Sequence, residues 1–151
     1  MRGRYIAVLA GCASLFGATA CGGASESPAT AGEPVAITLH EFAILPSATG
    51  APAGSVTFAI TNAGPNDTHE FVVLKTDLAI DALPTKEDGS VDEEGAGLEP
   101  VDEVEDVAVG SSANLTVDLE AGNYVLICNI YDADENEAHY QEGMRVGFTV
   151  T

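Results

Sequence analysis

The chain has 151 residues, enough for one domain at the usual ~100–200 residues per domain. Its 24 acidic and 5 basic residues give a net charge of −19. That excludes a nucleic-acid binder, which needs Lys and Arg to displace counterions, and a protein that docks on anionic lipid through a basic patch. At 46% hydrophobic residues the chain can build a core. Three Cys and three His are too few for a multicopper oxidase cluster or a long histidine relay.

The first 20 residues have the form of a secretory signal: basic Met1-Arg2-Gly3-Arg4, an uncharged run from Tyr5, and small residues at Ala18-Thr19-Ala20. The run is too short and too rich in small residues for a spanning helix of ~20 apolar residues. Cys21 follows directly. The segment resembles a bacterial lipoprotein signal, whose Cys after the cut takes the lipid, although Ala18 stands where Leu is usual. Leu9-Ala10-Gly11-Cys12 matches that box better but leaves too short an apolar core. Lipidation at Cys21 is the expectation and plain secretion the alternative; both cut after Ala20. The expected location is outside the cytoplasmic membrane, lipid-anchored on its outer face or periplasmic.

Residues 21–33, rich in Gly, Ala, Ser, Thr, Pro and Glu, read as a flexible linker, and 34–151 as the folded domain. Beyond residue 20, three basic residues (Lys75, Lys86, Arg145) face 24 acids, a net charge of −21. Such like charge favours a monomer. Cys128 and Met144 are the only Cys and Met beyond Cys21, and His40, His69 and His139 all remain.

Strands are expected at 35–39, 56–62, 70–74, 114–119, 123–128 and 146–151, where β-branched and apolar residues alternate or run together between Gly, Pro and Asn turns. This predicts an all-β Greek-key sandwich of seven to eight strands. Residues 77–106 stand apart, with twelve acids and one basic residue. They are expected to form an acidic loop with a short helix at 78–83, stopped by Pro84. The charge run reads as a solvated face or a steering surface.

The soft and borderline metal donors are Cys128 at a strand end, His139 and Met144 after it, and His69 at the start of another strand. Strand ends of a sandwich converge at its poles. A single thiol cannot form an internal disulfide, and metal ligation would occupy it in an oxidising compartment. A thiolate, imidazoles and a thioether favour copper, although Zn²⁺ also accepts a Cys/His/His set. Taken singly, a Cys at a strand end is commonly a small buried hydrophobe and a Met before a strand commonly core.

From Leu39-His40-Glu41-Phe42…Pro46, Ala53-Gly54-Ser55-Val56-Thr57-Phe58 and His69-Glu70-Phe71 through Gly122-Asn123-Tyr124…Cys128…His139…Gly143-Met144, residues 35–151 resemble the cupredoxins, the blue copper proteins. The resemblance implies one type 1 copper held by His69, Cys128 and His139, with Met144 as a weak axial ligand. It implies that His139 lies near the surface and passes the electron. Glu142 is the possible substitute for Met144, and His40, which matches no family ligand, reads as a structural or surface residue. Tyr131 and Tyr140 read as packing or rim residues, with Tyr140 a possible element of the partner surface or electron path.

Two departures stand out. Ten residues separate Cys128 from His139 where the family has two to four, and Glu70 stands where Asn often braces the thiolate. A carboxylate there would alter the hydrogen bonding around the ligands or the metal preference. The expected function is extracytoplasmic single-electron transfer with a basic partner such as a cytochrome or oxidase domain. The alternatives are copper buffering or delivery, which a mobile ten-residue loop would favour, and a metal-free interaction module. No nucleophile elbow or His-Glu-x-x-His helix is present, so no enzyme activity is expected.

Overall fold

A computed structural model describes residues 29, 30 and 32–151. The signal at 1–20, Cys21 and most of the linker lie outside the described residues. Ala29, in the expected linker, donates its N–H to Gly50 O at 2.8 Å and packs on the core.

Strands form where apolar residues alternate. Val35–His40 (β1) buries Val35, Ile37 and Leu39, and Ala43–Pro46 (β2) folds back on it. Gly50–Ala51 (β3) leads into Gly54–Asn62 (β4), which buries Val56, Phe58 and Ile60. His69–Lys75 (β5), Glu99–Val107 (β6), Ser112–Leu119 (β7) and Gly122–Ile127 (β8) follow. A small hairpin of Tyr131–Asp132 (β9) and Glu137–Ala138 (β10), one helical turn at His139–Glu142 (α1) and Arg145–Val150 (β11) complete the chain.

One sheet has the order β2-β1-β4-β7 and the other β3-β11-β8-β5-β6. The pairs β1/β4 and β3/β11 are parallel, the rest antiparallel. Eight strands have four or more residues, in line with the expected seven to eight; three two-residue strands are additional. The sheets meet on Phe58, whose ring centroid lies 5.2 Å from that of Phe71 and 5.4 Å from that of Phe148. Burying each such side chain contributes roughly 1.5–3 kcal/mol.

The acidic segment departs from expectation twice. There is no helix at 78–83; Ala82 N–H bonds to Ala79 O in a turn. Most of its last third is strand β6, the acidic edge of the five-stranded sheet. Its valines, Val101, Val104 and Val107, recur every third residue because the β5/β6 register shifts twice, after His69 and after Val73. Residues 76–98 cover the outer face of β5 and β8, where Leu83, Val91 and Leu98 pack on Val72, Leu74, Val125 and Ile127. That cover explains why β5 is apolar on both faces.

Candidate metal centre

β11, β8 and β5 are consecutive in their sheet, and at one pole they present the start of β5, the end of β8 and the start of β11. His69 opens β5, Cys128 follows β8, and Met144 precedes β11. Cys128 N–H bonds to Met144 O at 3.1 Å. The β5/β8 register (Val72 opposite Ile127) brings His69 and Cys128 to the same end.

The ten residues between Cys128 and His139 fold as the β9/β10 hairpin. Asp132 Oδ1 accepts the N–H groups of Asp134 and Glu135, Tyr131 OH donates to Asn136 Oδ1, and His139 N–H closes the base on Ile130 O at 2.9 Å. The hairpin absorbs the extra length while its base stays fixed. After α1, Gly143 takes φ 129°, and a Cβ there would stand 3.1 Å from Phe42 O. Glycine thus allows the turn that brings Met144 N–H onto His139 O at 3.0 Å.

His69, Cys128 and His139 converge, all buried. The two Nδ1 atoms are 3.2 Å apart, and Cys128 Sγ lies 3.3 Å from His139 Nδ1 and 3.9 Å from His69 Nδ1. An ion ~2.0–2.1 Å from imidazole nitrogens and ~2.3 Å from a thiolate spaces its donors ~3.3–3.8 Å apart. The donor set and its spacing fit one such ion. Met144 is fully buried in the same core cluster as Cys128, whereas Glu142 is exposed and stands outside the group of three.

Burial pushes the Cys128 thiol up to about 12, against the N–H groups of Glu70 and Ile130. Burial likewise holds His69 and His139 below the ordinary imidazole value; the neighbouring His139 lowers His69 further. Both rings are therefore neutral near pH 7 and each has a lone pair to offer.

Glu70 braces the site from both ends. Its N–H donates to Cys128 Sγ at 3.4 Å, and its Oε1 accepts Asn129 N–H at 2.7 Å. Burial lifts its carboxyl to about 7, opposed by Asn129 N–H and reinforced by Glu93, Glu103 and Glu105. Asn129 in turn donates to Glu93 Oε1 and Val91 O, tying the acidic segment to the residue after Cys128.

Other expectations change. His139 is only 2% exposed, with the Phe42 ring edge-on at a centroid distance of 5.2 Å. Tyr140 is buried; its hydroxyl donates to Ile80 O and accepts Leu83 N–H, which makes it a clamp on the acidic segment. His40 is structural: its Nδ1 lies 3.0 Å from Gly64 O, a carbonyl that can only accept. Asn62, readable from the sequence only as the first residue of a turn, is fully buried and organises that turn before His69. It donates to Asp67 O and Val107 O and accepts Gly64 N–H. A buried Asn at a strand end followed by Gly and Pro was the available signal.

No protein-family model matches the chain, and no curated protein matches it. Solved structures do. Dithionite-reduced auracyanin from Roseiflexus castenholzii superposes with a TM-score of 0.56 at 21% identity, over 85% of this chain and 99% of that one. Auracyanin B gives 0.54 at 19% identity, over 86% and 96%. An azurin from Methylomonas sp. strain J gives 0.53 at 13% identity, over 80% and 99%. Strand order, core and pole agree with the resemblance read from residues 35–151: the protein has the cupredoxin fold.

Proposed function

We propose that the protein holds one copper ion at His69, Cys128 and His139, with Met144 as weak axial ligand, and carries single electrons outside the cytoplasm. The observation that carries this reading is the convergence of one thiol and two Nδ1 atoms within 3.9 Å in a buried pocket. Copper in a thiolate–imidazole set supplies reversible Cu(I)/Cu(II) exchange. The chain's part is to hold the donors still. Glu70 N–H steadies the sulfur, the hairpin base fixes His139, and burial excludes water. The hydrogen bonds within the hairpin support a held ligand loop over the mobile one that copper handling would favour.

The test is Cu(II) titration of the purified protein, followed by visible absorption and EPR. The expected result is an intense thiolate-to-copper band with narrow copper hyperfine splitting. An ordinary weak Cu(II) spectrum overturns the type 1 site.

We read the protein as a carrier rather than an enzyme. The signal-like residues 1–20 and Cys21 support export and lipid anchoring, and the net charge of −21 beyond residue 20 supports a basic redox partner such as a cytochrome or oxidase domain. Electron transfer to such a cytochrome slows as salt rises; a salt-independent rate rules out the steering.

A further inference from the structure

Among the described residues only two buried side-chain polar atoms lack a hydrogen-bond partner: His69 Nε2 and Glu41 Oε2. They belong to neighbours. His69 Nε2 lies 3.6 Å from Glu41 Oε1, with the His69 side chain wholly buried and that of Glu41 10% exposed. A buried polar atom left unpaired costs roughly 1–3 kcal/mol. An imidazole N–H and an ionised carboxylate are complementary, since the carboxylate only accepts.

Glu41 is itself held. Its Oε1 accepts the N–H groups of Asn66 and Asp67 at 3.0 and 2.7 Å, from the turn that leads into His69. Burial works to raise its carboxyl, but those N–H groups outweigh it and keep Glu41 below the ordinary carboxylate value. The side chain is thus a fixed anion beside the ring's far nitrogen.

A neutral imidazole carries one N–H. With the proton on Nε2, the Nδ1 lone pair faces Cys128 and His139. With the proton on Nδ1, two acceptors, Nε2 and the carboxylate, would face each other. The geometry points to Glu41 as a positioning residue for His69: its carboxylate attracts the Nε2–H and fixes the tautomer whose bare Nδ1 faces Cys128 Sγ. This rests on the metal-binding reading of His69 and adds to it a residue outside the ligand set. The 3.6 Å separation exceeds an ordinary N–H···O hydrogen bond of about 3.0 Å, so the contact is an electrostatic one between complementary groups.

Glu41→Gln tests this sharply. The amide oxygen can keep both turn N–H groups, so the turn survives. That same oxygen is the atom 3.6 Å from His69 Nε2, so the variant leaves a neutral acceptor where the wild type has an anion. Two measurements read the result on the full chain: the ¹⁵N NMR tautomer of His69 in the metal-free protein, and the rate of Cu(II) transfer to EDTA. The wild type is expected to carry the proton on Nε2; in the variant, which lacks the anion, the Nδ1–H tautomer gains population and copper is lost ~10–100-fold faster. A variant that loses copper at the wild-type rate overturns the role of Glu41 and leaves the copper site standing. A wild type that binds no copper fails the site itself, while the metal-free tautomer still reports on Glu41. A wild-type His69 protonated on Nδ1 overturns the proposal even if the variant does not fold.

Discussion

Cys128→Ser turns a coloured, tight copper binder into a colourless, weak one while the fold persists. Cys128 is fully buried, with Sγ within 3.9 Å of the Nδ1 atoms of His69 and His139 and under the N–H of Glu70. A serine hydroxyl can still accept that N–H, so the cost to folding is a small void and a buried hydroxyl, roughly 1–3 kcal/mol. The loss at the metal is larger. A hydroxyl stays protonated where a thiolate would face the cation, and removing the charged partner of a buried charge costs roughly 3–5 kcal/mol, ~10²–10³-fold in affinity or more. The visible band disappears because no sulfur donor remains. Circular dichroism, absorption and competition with a chelator check the three parts. Wild-type copper retention in the serine variant would refute Cys128 as a ligand.

The same residues show what a sequence does and does not disclose. β1 and β4 were readable because Val35, Ile37 and Leu39, then Val56, Phe58 and Ile60, keep strict period two against one core. His69, Cys128 and His139 were readable as a candidate set because each is a rare residue type, and the fold brings the three together. β6 was not, since two register shifts convert its period to three and its acids resemble a loop. The run 78–83 suggested a helix from composition, yet Leu83 is recruited by Tyr140, 57 residues away in the chain, and by the outer sheet face. The hairpin between Cys128 and His139 looked like irregular loop because its order comes from side-chain-to-backbone bonds of Asp132. In the sequence Glu41 reads only as part of the Leu39-His40-Glu41-Phe42 strand motif. Its position beside His69 depends on two loops meeting at the pole, which no local pattern encodes.

Copper affinity rises about tenfold for each pH unit between pH 7 and 9, a hundredfold across that range. The metal-free Cys128 thiol is held up to about 12 by burial, so it is protonated throughout. Copper binding expels that proton, and each tenfold drop in proton concentration favours binding tenfold. The groups facing the sulfur do not flatten the slope. His69 and His139 are held below the ordinary imidazole value by burial, so both are already neutral at pH 7. Glu70, lifted to about 7 by burial, loses its proton near the bottom of the range and adds a negative charge close to the site, which steepens the rise slightly there. Stability of the metal-free protein follows the same linkage. Cys128 has a folded value above its unfolded one of about 9, so its contribution is intact below pH 9 and is lost as pH climbs through about 12. Copper reverses that trend by holding the thiolate. Chelator competition at several pH values, with proton release followed in weak buffer, measures the slope. A plateau above pH 7, with no proton released, would mean that the metal is held by neutral imidazoles and carboxylates and that Cys128 stays a thiol.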